Sequence, residues 1–337
     1  MHAVVLVGGF GTRLRPLTND IPKPMLPVGH VPMIERLVGR LARGGVTDVV
    51  LALGFKPEPF MAAFPDGRCG DVELTYAVEP EPLDTGGAIR FAADAAGIDS
   101  TFVVANGDVM TDLDVGELVD AHRGAGATAT LHLIGVENPS TFGVVDLDDP
   151  QSSGIGTIRQ FVEKPAPGTE PSNLINAGTY VFEPSVLDLI APGERVSIER
   201  DTFPKLVAEG GVFGVATEDY WIDAGVPDLY RAANLDLLGD RRVHESCEAI
   251  DAGATVDSGA TVMNSVVGPG AVIEGGTTTV VDSVILPGAF IGAGAQIESS
   301  LVMGRVESDA TVIEAIIGAE GVVAAGDHVA FQTVPEA

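Results

Sequence analysis

The 337-residue sequence predicts two folded parts. The first is an α/β domain over 1–238; a short charged linker at 239–247 joins it to a left-handed parallel β-helix over 248–337. Three observations predict this. Apolar strand patterns alternate with helical ones up to about residue 135. A glycine-rich, basic loop follows the first strand at once. Valine and isoleucine then recur every six residues from Ile250.

The first strand, His2 to Val7, opens into Gly8-Gly9-Phe10-Gly11-Thr12-Arg13-Leu14-Arg15-Pro16-Leu17-Thr18, with Pro22-Lys23-Pro24 behind it. Glycines let backbone N–H groups approach a phosphate, and fixed cations neutralise what the amides cannot. Two familiar glycine loops are excluded. The Gly-x-x-x-x-Gly-Lys-Ser/Thr spacing is absent. A Gly-x-Gly-x-x-Gly fingerprint begins at Gly9, but Leu14 replaces its last glycine and Pro16 would interrupt the helix it needs. The loop is therefore an anion-binding loop of another kind.

Pro32 to Arg43 places Met33, Leu37, Val38 and Leu41 at helical spacing. Val46 to Leu53 and Val72 to Val78 are strands, and Thr85 to Ala96 is an alanine-rich helix. Thr101 to Ala105 is a strand ending at Asn106-Gly107-Asp108; Leu113 to Arg123 is helical and Thr128 to Gly135 extended. Repeated β–α–β units predict a doubly wound, mostly parallel sheet, which binds ligands at the carboxyl ends of its strands. Both the glycine loop and Gly107-Asp108 fall at such ends. From 140 to 225 the pattern is strand-rich, over Phe142–Asp146, Ile158–Val162, Gly178–Phe182 and Gly211–Ala216. Short helices are expected near Ser185–Ile190 and Glu199–Glu209, and an amphipathic one at Pro227–Leu238. The acidic run Asp146, Asp148, Asp149 reads as a solvated loop.

Beyond 248, Ile250, Val256 and Val262 are six apart. After a one-residue slip, Val267, Ile273, Thr279, Ile285, Ile291 and Ile297 continue, and Ile317, Val323 and Val329 resume. Each six-residue unit is one face of a triangular coil with its apolar residue on the axis.

A net charge of −29 argues against nucleic-acid or anionic-membrane partners. Among only four lysines, Lys23 and Lys164 both sit in motifs. Cys69 and Cys247 lack metal-ligand spacing and are expected as free thiols. No apolar stretch reaches about 18 residues, so no transmembrane helix and a cytoplasmic location are expected.

The loop together with Pro22-Lys23-Pro24 resembles the signature of the sugar nucleotidyltransferases, or nucleotide-sugar pyrophosphorylases. Within that family it is most similar to the branch acting as mannose-1-phosphate guanylyltransferases. Supporting motifs follow in order: Glu79 before Leu83-Asp84-Thr85-Gly86-Gly87, Asn106-Gly107-Asp108, Phe142-Gly143, Phe161-Val162-Glu163-Lys164-Pro165, Asn176-Ala177-Gly178 and Trp221-Ile222-Asp223-Ala224-Gly225. The resemblance spans the chain and implies a Rossmann-like mixed sheet followed by a left-handed β-helix.

It also implies the chemistry. A sugar 1-phosphate oxygen attacks the α-phosphorus of a nucleoside triphosphate and pyrophosphate leaves; the nucleophile is already an anion, so the problem is electrostatic. Arg13 would hold the β- and γ-phosphates, and Lys23 would bridge the α-phosphate and the sugar phosphate. Arg15 is a weaker candidate. Gly8, Gly9, Gly11 and Thr12 would contact the nucleotide, as would Gly86. Mg²⁺ takes one or two carboxylates plus phosphate oxygens; Asp108 and Asp223 would supply them. Lys164 would bind the sugar phosphate, Glu163 the sugar hydroxyls, and Asn176, Gly178 and Gly143 would complete the pocket.

Glu79 bears on the base. Guanine presents two adjacent donors, which an acceptor-only carboxylate can take as a pair; uracil and thymine present flanking acceptors that it would repel. That favours GTP, with Glu81 as the competing reader. The expected substrates are thus GTP and mannose 1-phosphate. Thymidylyl- or uridylyl-transfer to glucose 1-phosphate, or guanylyl-transfer to a pseudo-sugar phosphate, are alternatives, as is a catalytically silent nucleotide-sugar-binding subunit. His328, the one histidine inside the repeats, is a weak sign of acyltransferase chemistry. The repeats are instead expected to serve packing, regulation or assembly into a homo-oligomer.

Overall fold

The computed structural model describes residues 1–9, 11–54, 57–149, 153–239, 242 and 244–336. Phe10 of the loop, and Asp240, Arg241 and Val243 of the expected linker, lie outside the described residues. By packing the chain forms two units: Met1–Gly9 with Ile34–Trp221, and Phe10–Met33 with Ile222–Ala337.

The first unit is built on one mixed sheet, ten-stranded among the described residues. Its strands are β1 (His2–Leu6), β2 (Asp48–Leu53), β3 (Arg68–Cys69), β4 (Val72–Val78), β5 (Phe102–Asn106), β6 (Ala129–Gly135), β7 (Gly143–Asp148), β8 (Ile155–Glu163), β9 (Leu174–Phe182) and β10 (Val212–Thr217). They lie in the order β7-β8-β10-β6-β9-β5-β1-β2-β4-β3. β5, β1, β2 and β4 run parallel; β5, β1 and β2 are near-continuous apolar runs, as strands buried on both faces are, whereas β4 alternates buried and exposed residues. β9 enters antiparallel between β5 and β6, which makes the sheet mixed.

The helices are α1 (Met33–Arg43), α2 (Glu58–Ala63), α3 (Asp84–Ala96), α4 (Val115–Ala125), α5 (Phe203–Glu209) and, in the other unit, α6 (Pro227–Leu235). α4 shows how locally they are set. The Asp114 side chain accepts from the N–H groups of Gly116 and Glu117, and Gly126 at φ 60° ends the helix. α3 lays Ala88, Ile89, Ala92 and Ala93 on the core around Phe102, Tyr180, Phe182 and Phe203, all fully buried or nearly so.

Three details differ from the sequence pattern. The helix expected at Glu199–Glu209 is a π-turn over Ile198–Thr202 before α5, and that at Ser185–Ile190 is a 3-10 helix over Pro184–Leu189. Pro204 falls inside the expected helix and has no N–H to donate there, so the α-helical ladder begins only with α5, while Pro184 opens the 3-10 helix where no N–H is needed. The acidic run is not a loop throughout: Asp146 and Asp148 lie on β7, Asp148 pairs with Arg159 on β8, and only Asp149 caps the turn, accepting from the N–H of Ser153.

In the second unit the coil consists of three parallel five-stranded faces. One face runs Val262↔Val280↔Ile297↔Val312↔Val329. Another runs Val256↔Ile273↔Ile291↔Val306↔Val323, and the third Val267↔Ile285↔Val302↔Ile317↔Val334. These residues form a continuous apolar axis. Thr279 is not on it; Val280 is, fully buried. The turn over 274–278 carries one more residue than a strict hexapeptide allows, so the inward position shifts by one at Val280 alone. Corners are made at left-handed backbone positions, Asn264, Asp282, Ser299, Glu314 and Phe331. A serine ladder runs inside one corner, where each hydroxyl accepts the next coil's N–H: Ser265 from Ser283, Ser283 from Ser300, Ser300 from Ala315.

Candidate active site

In the first unit the carboxyl ends of four parallel strands finish level with one another. Val7 N–H donates to Ala52 C=O, Gly107 N–H to Leu6 C=O and Glu79 N–H to Leu53 C=O. Gly8, Gly54, Glu79 and Gly107-Asp108 therefore share one edge. A β-carbon placed on Gly8 would lie 3.2 Å from the Gly54 nitrogen and 3.7 Å from Glu79 Oε1. Glu79 is half-buried beside this glycine, whereas Glu81 is exposed. Burial pushes the Glu79 carboxyl above the ordinary range, and the Leu83 N–H, donating to Oε2 at 2.9 Å, partly offsets that.

A second group gathers on β7, β8 and β9. A β-carbon on Gly143 would strike Phe161 at 2.5 Å and lie 3.1 Å from Glu163 Oε2, so glycine here lets the Phe161 ring pack against the strand beside Glu163. Lys164 has φ 48°, a left-handed backbone that a lysine rarely adopts, and its Nζ is 3.3 Å from Glu163 Oε1. The pair is largely exposed on the lysine side and adds little stability. β9 slips register between Asn176 and Tyr180. Within that bulge Gly178 takes φ 77°, and a β-carbon there would be 2.7 Å from Asn106 Nδ2. Asn176 accepts from Gly178 N–H at 3.0 Å and donates to Tyr180 Oη at 2.8 Å.

Tyr180 and Glu199 were not singled out by the sequence. Burial raises the Tyr180 hydroxyl pKa, and the charges of Glu199, Glu163 and Asp108 raise it further. Those three carboxylates therefore lie within electrostatic reach of one buried hydroxyl. Glu199 Oε2 accepts from Thr85 Oγ1 at 2.7 Å and Ser197 Oγ at 2.9 Å. The π-turn at Ile198–Thr202 is the one local signal that could have marked Glu199. Gly86 lies on the first turn of α3, just after Leu83, whose N–H is bonded to Glu79. It is buried in α3, its N–H donates to Val196 C=O at 2.8 Å, and a β-carbon would meet that oxygen at 3.0 Å. Its N–H is used by the fold.

The second unit holds the cations. Gly11, at φ 60°, starts a one-turn helix over Thr12–Leu14, and Thr18 Oγ1 donates to its carbonyl at 2.8 Å. Leu14, Pro16 and Leu17 are buried beneath the turn while Thr12, Arg13 and Arg15 are exposed. Lys23 opens a second one-turn helix, Lys23–Met25, and is buried. Its Nζ donates to Asp223 Oδ1 at 3.3 Å. A β-carbon on Gly225 would lie 2.7 Å from Asp223 Oδ1, 2.8 Å from Lys23 Nζ and 2.9 Å from Arg13 Nη2. Residues far apart in sequence thus converge on one glycine, two cations facing one carboxylate.

Among the described residues no group of three or more His, Cys, Asp or Glu side chains could hold a metal by themselves. No helix of the described residues is long and apolar enough to cross a membrane. Cys69 and Cys247 are free thiols, as expected.

The nucleotidyl transferase family model matches residues 2–239, and the GlmU-like C-terminal hexapeptide model matches 249–335. A mannose-1-phosphate guanylyltransferase of Mycobacterium tuberculosis is 40% identical over 288 residues, covering 82% of this chain and 77% of the relative. A protein of Oryza sativa subsp. japonica, named as a mannose-1-phosphate guanylyltransferase 1, is 38% identical over 94% of this chain and 86% of its own. In fold, UTP-bound UGPase from Acinetobacter baumannii superposes at a TM-score of 0.60 with 22% identity, covering 69% of this chain and 92% of that one.

Proposed function

The chain belongs to the nucleotidyl transferase family, and from that premise we propose that it transfers GMP from GTP to mannose 1-phosphate, giving GDP-mannose and pyrophosphate. The observation that carries this reading is the convergence of Arg13, Lys23 and Asp223 on Gly225. A phosphate oxygen of the sugar attacks the α-phosphorus; the new P–O bond forms as the bond to the β-phosphate oxygen breaks. The electron pair leaves with pyrophosphate, and no proton moves. Buried Lys23 attracts both anions and offsets their repulsion where water does not screen it. Exposed Arg13 takes the charge growing on pyrophosphate, where its planar fork matches two oxygens.

The donor chemistry fits Mg²⁺. Asp108 and Asp223 offer hard carboxylate oxygens, and the absent β-carbon of Gly225 leaves space beside Asp223. When bound, the ion supplies further neutralisation of phosphate charge. The half-buried position of Glu79 beside Gly8, against the exposure of Glu81, supports Glu79 as the reader of guanine. Each of its oxygens has two lone pairs, so the Leu83 bond leaves acceptors for both guanine donors. Lys164 takes the phosphate of the sugar 1-phosphate, Glu163 its hydroxyls, and Asn176, Gly143 and Gly178 complete the pocket. The names of the two relatives support mannose as the sugar. The acidic surface and two free thiols suit a cytoplasmic homo-oligomer.

Pyrophosphate release by the full chain, with GTP, UTP, dTTP or ATP against mannose and glucose 1-phosphates, tests the reading. GTP with mannose 1-phosphate should be turned over fastest. Turnover with no pair would remove the enzyme reading, and a preference for UTP or dTTP would remove the role given to Glu79.

A further inference from the structure

The segment bearing Arg13 and Lys23 packs with α6 and the coil, in one unit. Two of its backbone groups are held by buried α6 side chains one turn apart. Tyr230 Oη donates to Pro27 C=O at 2.5 Å, and Asn234 Oδ1 accepts from Gly29 N–H at 2.8 Å. Asn234 is itself fixed by donating to Tyr230 C=O at 2.9 Å. α6 is tied to the coil in turn, since Arg231 Nη1 donates to Asp282 C=O at 3.0 Å.

The coil also touches the loop directly. A β-carbon on Gly318 would lie 2.6 Å from Pro16 Cγ and 2.7 Å from its Cβ. The coil itself does not ask for glycine there. Gly318 follows Ile317, and the ladder Ile285↔Val302↔Ile317 makes Leu286 and Met303 its counterparts one and two coils away. All three donate the same bond to the next coil: Leu286 to Val302 C=O, Met303 to Ile317 C=O and Gly318 to Val334 C=O. Gly318 is not among the residues with positive φ. Large side chains fit at this coil position, so the demand for glycine at 318 comes from Pro16.

We propose that the β-helix is a template for the phosphate loop, with Gly318, Tyr230 and Asn234 as positioning residues for Arg13 and Lys23. The proposal rests on those two cations holding the triphosphate. A seat at Pro16 sets the loop within three residues of Arg13, and the α6 bonds set the segment after Lys23. Misplacing a reacting group by about 1 Å costs about 10²-fold in rate.

The test uses the full-length protein and the pyrophosphate-release assay. Gly318→Ala should lower kcat by tenfold or more, on the order of that misplacement penalty, with both KM values little changed. Adding Pro16→Gly should restore much of the loss by removing the carbons the new methyl would strike. Gly292→Ala is the structural control: its β-carbon would meet the Ser308 nitrogen at 2.6 Å within the coil, so it should lower thermal stability and leave kcat in place. Tyr230→Phe removes one hydroxyl and should lower kcat several-fold, which carries the test should Gly318→Ala not fold. A wild-type kcat in both Gly318→Ala and Tyr230→Phe, or a loss that Pro16→Gly does not relieve, would overturn the proposal and leave the assigned reaction standing. An inactive wild type would overturn the assigned reaction first, and this proposal with it.

Discussion

The two units are both built on β-strands, one on a mixed sheet and one on parallel coils, and they solve different problems. The sheet unit buries polar groups that need specific partners: His122 between Thr130 and Glu183, His132 against Thr217, Arg40 reaching Thr111 C=O. Its bulges and positive-φ residues present a mixed set of acceptors and donors. The coil unit keeps an apolar axis and a serine ladder, and pairs that regularity with a cationic cradle on the 10–33 segment. In the proposed reaction the first unit would supply the base reader Glu79 and the sugar pocket with Lys164, and the second would supply Arg13 and Lys23 for the triphosphate. Irregular backbone gives directional contacts, while a repetitive scaffold gives a rigid seat.

Removing charge should break the comparison most sharply. Lys23→Ala should lower kcat by about 10³-fold, the scale for losing a group that stabilises transition-state charge. Arg13→Ala should cost somewhat less, because its guanidinium is exposed to water. A loss under tenfold for Lys23→Ala, in steady-state pyrophosphate release, would contradict the division of labour.

Next in size is the coil axis. Ile291→Ala should destabilise by about 2–5 kcal/mol in denaturant unfolding, as buried aliphatic truncations do. Val280→Ala should destabilise clearly more than Thr279→Ala, since Val280 is on the axis and Thr279 is not. Equal effects would restore the strict hexapeptide register.

Glu79→Gln tests the sheet unit as reader. It should lower the preference for GTP over UTP by roughly 10–100-fold, with triphosphate affinity less affected, because an amide offers one donor where two acceptors are wanted. The same preference in the wild type should fade on acidification at a pH above that of an ordinary glutamate. The raised pKa means that protonation removes an acceptor sooner as pH falls.

A further test concerns the stability carried by His132. Burial, with the nearby Arg40 charge, pushes its pKa down to about 3. The unfolded chain, titrating near 6.5, binds the proton more tightly. The stability is therefore complete above about 6.5 and lost progressively as pH falls toward 3. His132→Gln should flatten that acid limb in chemical denaturation; an unchanged limb would mean the ring is not buried neutral.

Much of this was legible in the residues themselves. The loop glycines and the six-residue period announced a tight turn after the first strand and a coil, because each rests on local chain chemistry. β9 as an antiparallel insert was not legible, because its apolar run looks the same in either direction. Val280 escaped because one extra residue before it and one fewer after it shift that position alone, while Ile285 and Ile291 keep the six-residue register. Glu199 and Tyr180 escaped because only the fold brings their side chains near Glu163 and Asp108. The convergence on Gly225 joins residues some two hundred positions apart, beyond any local pattern.

The serine ladder has a direction. Ser265, Ser283 and Ser300 each lend a hydroxyl to an N–H of the following coil, while the hydroxyl's own proton goes back to Met263, Val281 or Glu298 C=O. The backbone bonds run the other way: Leu286 N–H donates to Val302 C=O and Met303 N–H to Ile317 C=O, each in the following coil. Neighbouring coils therefore hold one another in both directions, and removing a turn from either end leaves polar groups of the next one to find water.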